Sequence, residues 1–220
     1  MNAQKSESDK YYNIFHVRQT VYKMLNKRGY AVDPDDINLP LDQFIANYTY
    51  SGMVDREKMT IYVGSKKNPE SNKLLVKFIA SSNTEKNTIS TGEIKGIQEK
   101  ACGPQLGLSR IIFIFASAIS SQAKQALEVR TNNIIIEYFY ESELIIDITE
   151  HELVPEHTVL TPEEKATLLK QYGLSDSQLP RLMKKDPIAR YFGLQKGDVV
   201  RITRRSETAG KYVTYRIVDI

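Results

Sequence analysis

At 220 residues and 25.1 kDa, the chain is long enough for one large domain or two modest ones. Its 41% hydrophobic and 26% charged content is ordinary for a folded globular protein and excludes the disordered and fibrous classes. The 30 Lys and Arg barely exceed the 27 Asp and Glu, and the near balance holds on either side of Asp147, so neither half carries the basic excess of a free-standing nucleic-acid binder.

In chain order, residues 1–10 are polar and predict disorder rather than a signal peptide. Over residues 11–28, Ile14, Val17, Val21, Met24 and Leu25 recur at the spacing of one helical face, and Gly29 stands where a helix C-cap belongs. A shorter helix is expected at 41–48, after the Asp33-Pro34 and Leu39-Pro40 breaks. Residues 59–63 and 74–79 read as two strands joined by the turn-rich Lys66-Lys67-Asn68-Pro69-Glu70-Ser71-Asn72. A helix over 92–102, closed by Gly103-Pro104, leads to a continuously apolar strand at 110–116. The turn Ser120-Ser121-Gln122 opens a helix reaching about Arg130, and a further strand follows at 133–138. That order is a β-α-β unit, so residues 1–146 are expected to form an α/β domain.

A second domain, 147–220, is expected to be small and α+β. Thr161-Pro162-Glu163-Glu164 is a capping box with proline at the first helical position; Leu168, Leu169 and Tyr172 supply the apolar face and Gly173 ends it. Ser175 and Asp186-Pro187 mark two more short helices. Residues 198–203 and 211–218 then read as a hairpin around a turn at 206–210.

The chemistry-bearing patterns are few. The apolar stretch 111–119 is about half the ~20 residues that span a bilayer and reads as a buried strand, so no membrane partner is expected. Cys102 is the only cysteine, which excludes an internal disulfide and fits a small buried thiol in a reducing compartment; a catalytic role would need His16, His151 or His157 beside it. His151-Glu152-Leu153-Val154-Pro155-Glu156-His157 has proline where a zincin has its second histidine, so a structural or interface pair is the better reading. A magnesium-dependent nuclease would use a pattern such as Asp55 with Glu93-Ile94-Lys95, but the triplet falls at a helix start rather than on a strand. Tyr48, Tyr50, Tyr138 and Tyr140 fall at helix or strand spacing and read as core, and the pairs Lys66-Lys67, Lys184-Lys185 and Arg204-Arg205 as solvated surface. No cofactor, metal, catalytic residue or small-molecule ligand is expected, which leaves a binding or assembly module.

The second domain resembles a known family. His151 to His157, Gln178-Leu179-Pro180-Arg181, Asp186-Pro187-Ile188-Ala189-Arg190-Tyr191-Phe192-Gly193 and Ser206-Glu207-Thr208-Ala209-Gly210-Lys211-Tyr212-Val213-Thr214-Tyr215-Arg216 resemble successive signatures of the shared subunit of the eukaryotic nuclear RNA polymerases. The counterpart in archaeal RNA polymerase is similar to this domain alone. In the first domain, Val17-Arg18-Gln19-Thr20 and Arg28-Gly29-Tyr30 are similar to the family's opening helix. Ala123-Lys124-Gln125 falls where the family has a threonine-proline-serine-alanine loop, with Ser121 at the proline position and Gln122 at the serine.

The resemblance implies a nuclear, non-catalytic subunit common to polymerases I, II and III. Residues 1–146 would form the lower jaw near downstream DNA, and 147–220 would dock on the largest subunit, beside others that include the sixth-largest shared subunit. It implies subunit-interface roles for His151, His157, Arg190, Tyr191, Tyr212 and Arg216. It also implies a weak, sequence-independent contact with the backbone of duplex DNA through Ser120, Ser121, Gln122, Ala123 and Lys124, at a helix N-terminus whose amides would face outward. Lys124 in that first turn opposes the helix dipole, which suits an approaching anion. A stand-alone adaptor that binds transcription factors is the alternative from another class.

Overall fold

Apolar residues three and four apart make the first element a helix. In the computed structural model α1 runs Glu7–Lys27, and its stripe of Val17, Val21, Met24 and Leu25 is fully buried. Gly29 follows at φ +82°, the left-handed conformation that ends such a helix without the strain a side chain would bring. The structure describes residues 7–70, 72–80, 88–89, 91–101, 107–128, 134–206 and 210–219. Residues 1–6, Ser71, Cys102 with Gly103-Pro104, Arg130, Asn133 and the Glu207-Thr208-Ala209 turn lie outside the described residues.

The chain divides into two units, Met1–Ile146 and Asp147–Ile220. In the first, α1 is followed by α2 (Pro34–Ile37), α3 (Leu41–Tyr48), β1 (Thr49–Tyr50) and β2 (Met53–Val54). Arg18, only 1% exposed, holds the helices together: its guanidinium donates to the Asp36 carbonyl at 2.8 Å, the Asp36 carboxylate at 2.7 Å and the Tyr48 hydroxyl at 3.2 Å. It also lies 4.3 Å from the Tyr22 ring centroid. Burial, only partly offset by Arg18, pushes the Tyr22 phenol up to about 12. β1 and β2 close a two-residue hairpin through Ser51 and Gly52, both at positive φ, and this turn carries Tyr50 outward. At 77% exposed, Tyr50 is not a core residue: a two-stranded ribbon has no second layer to bury it.

The main sheet of this unit has the order β3-β4-β6-β8, with β3 (Ile61–Gly64) antiparallel to β4 (Lys73–Ile79) and β4, β6 (Leu108–Phe115) and β8 (Ile135–Tyr140) mutually parallel. The parallel steps require crossovers. One runs through β5 (Thr88–Ile89) and α4 (Thr91–Ala101), the other through β7 (Ala118–Ile119) and α5 (Ser121–Glu128). Leu75, Ile111, Phe113 and Phe115 pack with Ile94 of α4 and with Ala123 and Leu127 of α5. The stretch 111–119 is therefore not one strand: the chain bends at Ala116-Ser117, and β7 pairs with β5 in a separate two-stranded sheet. On β8, the Glu137 carboxylate bridges Arg28, at 2.8 Å, and Arg110. Arg28 follows α1 directly, so this ion pair fixes the exit of α1 on the sheet; Ala31 N–H to Gly64 C=O at 2.8 Å continues the attachment along β3. The short α6 (Glu141–Leu144) ends the unit and is tied to Arg56 through Glu141.

The second unit is a four-stranded sheet of order β10-β12-β11-β9, built from β9 (Glu156–Val159), β10 (Arg181–Met183), β11 (Val199–Ser206) and β12 (Gly210–Asp219). α7 (Pro162–Tyr172) starts at the Thr161 capping box, with Glu164 N–H donating to the Thr161 hydroxyl at 3.2 Å. Leu168 and Leu169 face Leu179, Val199 and Ile217 on one side of the sheet, whereas Tyr172, at the last position of the helix, is exposed. α8 (Pro187–Phe192) is capped by Asp186 and packs Ala189 against Leu182, Val200, Ile202 and Val218 on the other side. Gly193, at φ +65°, terminates α8 by donating to the carbonyls of Ala189 and Arg190.

Each side of the second sheet has its own helix, so residues 147–220 expressed alone are expected to melt in one cooperative transition. A fragment that melts without cooperativity counts against an independent domain. In the first unit, burial alone would raise the Glu137 carboxyl, but Arg28 and Arg110 outweigh it and hold the group below its ordinary value. Its contribution is therefore present above the unfolded value and lost as pH falls through the folded one. Glu137→Gln should cost about 3 kcal/mol at neutral pH, because two largely buried guanidiniums lose their countercharge. Urea unfolding is expected to show this gap narrowing in acid; a gap that does not change with pH would refute the assignment.

Candidate functional site

At the start of α5, the Ser120 hydroxyl accepts from Ala123 N–H at 3.2 Å and the Ser120 carbonyl from Lys124 N–H at 3.0 Å. Ser120 thus serves as the helix cap, and part of the outward amide cluster expected here is already bonded within the chain. Ala123 is 0% exposed and packs into the core of the first unit, so its side chain is not available to DNA. Lys124 is half-buried with its ammonium 5.8 Å from the Tyr140 ring centroid; this intramolecular partner accounts for its position without an anion. Ser121 and Gln122 are exposed, and they are the reachable residues of this candidate set.

The interface candidates separate by burial. Tyr191 is 2% exposed and donates its hydroxyl to the Asp147 carboxylate at 2.8 Å. Burial and the adjacent Asp147 charge push its phenol far above the ordinary value. The ring is thus a core anchor that ties Asp147 to α8, not a surface for a partner. Arg190, in the last turn of the same helix, is half-buried. His151 is exposed, and its Nδ1 accepts from Leu153 N–H at 3.2 Å within a local turn. His157 lies on β9 and donates Nδ1–H to the Pro155 carbonyl at 2.7 Å, since a carbonyl can only accept.

Strand register brings three of these residues to one face. Ile202 stands opposite both His157 and Thr214, so His157 shares a face with Tyr212, Thr214 and Arg216 of β12. Val200 and Ile202 on that face pack with Ala189 of α8. Tyr212 is 44% exposed and stacks under the Arg204 guanidinium, 4.7 Å from its centroid and directly opposite in register. Arg216 is exposed and reaches the Arg181 carbonyl at 3.4 Å. The face therefore presents cations beside one aromatic ring, with His157 at the far edge.

The opposite face of the same hairpin carries residues to which the sequence patterns assign no site role. Thr203 stands opposite Val213, and Arg205 opposite Lys211. In the sequence Arg204-Arg205 is a bare basic pair; because β11 runs through both, its two members point to opposite faces, and the register then sets Arg205 against Lys211. An open groove of about 320 Å³ between α7 and the sheet, lined in part by Leu160, Leu168, Arg201 and Tyr215, includes none of the candidate residues.

The nuclease reading loses its structural basis. Glu93-Ile94-Lys95 lies on α4 with Ile94 in the core, and Asp55 caps a local turn through Glu57 N–H at 3.1 Å. Among the described residues no cluster of three His, Cys, Asp or Glu is arranged to hold a metal ion.

Similarity to known proteins follows the division into two units. The family model "RNA polymerase Rpb5, N-terminal domain" matches residues 8–93, and "RNA polymerase Rpb5, C-terminal domain" matches residues 146–218. A Caenorhabditis elegans protein named "DNA-directed RNA polymerases I, II, and III subunit RPABC1" is 41% identical over 210 residues, covering 94% of this chain and 96% of its own. Its Caenorhabditis briggsae counterpart is 40% identical over 212 residues, at the same 94% and 96% coverage. The protein of that name from Dictyostelium discoideum is 37% identical over 206 residues, covering 93% and 96%. With both domain models matched in order and this identity sustained along nearly the whole length, the chain belongs to the RNA polymerase Rpb5 family.

Proposed function

We propose that this chain is a shared, non-catalytic subunit of the nuclear DNA-directed RNA polymerases I, II and III. The observation that carries the reading is the 41% identity over 94% of the chain to a protein of that name, with 96% of the relative covered, so that neither unit is left out of the match. In this role the unit 147–220 docks on the largest subunit, among other subunits that include the sixth-largest shared one. The unit 1–146 projects as the lower jaw of the downstream cleft.

Two features of the chain agree with an assembly role. The face shared by His157, Tyr212 and Arg216 offers an aromatic ring and cations, residue types that dominate interface hot spots. The charge balance of the first unit suits a weak jaw contact supported by more basic neighbours. Ser121 and Gln122, exposed in the first turn of α5, are the positions from which that contact would be made, with serine rather than the family's proline at the first helical position.

The shared-subunit reading predicts that affinity purification of the tagged chain from nuclei recovers the largest subunits of all three polymerases. Recovery of only one, or of none, refutes it. The jaw reading is tested separately. A photo-crosslinker at Ser121 or Gln122 should label downstream duplex DNA in an elongation complex and should not label the same DNA mixed with the free subunit. Absence of labelling in the complex, or strong binding by the free chain, removes the DNA contact.

A further inference from the structure

The β11–β12 hairpin is longer than the core it serves. Val199, Val200, Ile217 and Val218 are buried, whereas Arg204, Arg205, Lys211, Tyr212 and Val213 are all exposed, Val213 at 43%. The last third of the ribbon therefore lies beyond the cover of α7 on one side and of α8 on the other. Val218 N–H donates to Asp198 C=O at 2.8 Å, which sets the alternation along the ladder. By that alternation Arg205 and Lys211 form a non-hydrogen-bonded pair, the kind in which facing side chains come closest. Like charges in that position oppose the fold. Charge is also divided along the unit: residues 147–176 hold seven Asp and Glu against two Lys, and residues 177–219 hold ten Lys and Arg against four Asp and Glu.

We infer that the Arg205–Lys211 face of this hairpin is a docking strip for an acidic, extended segment of another polymerase subunit. The inference rests on the subunit reading above and adds the element and the chemistry of the contact. A carboxylate set between Arg205 and Lys211 relieves their mutual repulsion, and Val213 takes a neighbouring apolar side chain, next to Thr203 in the same row. A nucleic acid fits this strip less well. Glu156 on β9 stands opposite Thr203, so a continuous polyanion tracking the face meets an exposed carboxylate one row away from the two cations. A peptide that alternates acidic and apolar residues meets no such conflict.

The test uses the full-length chain within purified polymerase. Carbodiimide, which couples an amine to a carboxylate without a spacer, is expected to join Lys211 to an Asp or Glu of another subunit, in a stretch with more acidic than basic residues. Full-length Arg205→Glu should reduce co-purifying polymerase by roughly tenfold, about 1.4 kcal/mol of binding. Its melting temperature should hold or rise, because a Glu–Lys pair replaces two facing cations. Arg205→Lys should co-purify at the wild-type level. A drop in binding that comes with a drop in melting temperature would point to damage rather than docking, and wild-type co-purification of Arg205→Glu would overturn the strip. So would a photo-crosslinker at Val213 that labels RNA, DNA or a second copy of this chain. Links from elsewhere in 147–220 but none from the hairpin overturn the strip and leave the docking reading standing. No link from any residue of 147–220 overturns both.

Discussion

The first unit depends on one carboxylate. Glu137 stands on the edge strand of a largely parallel sheet, where a lone acid would be unfavourable, and becomes favourable only because Arg28 and Arg110 reach it from different elements. One guanidinium comes from the neighbouring strand and the other from the residue that follows α1. The ion pair thus performs two tasks: it neutralises a cation on the sheet and sets where the long first helix leaves it. Arg18 repeats the principle nearer the N-terminus, since a guanidinium that is 1% exposed has Asp36, Tyr48 and the Tyr22 ring as compensation. Charges buried in this way specify one arrangement of helices, because any other would leave them unpaired.

The second unit solves a different problem. Its sheet is covered by α7 on one side and α8 on the other, but at a helical rise of about 1.5 Å per residue against about 3.3 Å in a strand, each helix spans less length than the two central strands. Cover is therefore most complete around Val199, Val200, Ile202, Ile217 and Val218, and beyond Thr203 the hairpin continues as a two-stranded ribbon. Tyr191 shows how the covered part is anchored: its hydroxyl holds Asp147, the first residue of the unit, against α8. Core and ribbon are continuous through the same strands, so side chains on the ribbon are held in register by a core that a partner need not disturb. That is a suitable foundation for a recognition surface, which gains affinity when its groups are already ordered.

Capping boxes, glycine stops and apolar runs were legible because they are local chemistry. Thr161 to Glu164, Gly173, Asp186-Pro187 and the helix at Leu41–Tyr48 each follow from residues within one turn of one another. The β-α-β order followed from the alternation of apolar strands with a helical segment, and the resemblance to the polymerase subunit followed from blocks of residues kept in order. What misled was burial inferred from spacing alone. Tyr50 and Tyr172 have the periodicity of core residues but sit at a hairpin turn and at a helix end, where no second layer reaches them.

What the amino-acid sequence determined by itself is the longer elements and the family resemblance, both carried by runs of neighbouring residues, whereas the short strands β5, β7, β9 and β10 are defined only by pairing with segments far along the chain. Which residues of a candidate site are reachable was decided only by tertiary structure. Ala123 and Lys124 are adjacent near the start of α5, yet one is in the core and the other lies against Tyr140. Tyr191 and Tyr212 are both tyrosines in signature blocks, yet one bonds Asp147 in the interior and the other stands on the ribbon beside Arg204. The pairing of Arg205 with Lys211 across two strands is likewise invisible along the chain. Register and layer cover depend on contacts between residues far apart in sequence, and a one-residue change in register would send every side chain of the hairpin to the other face.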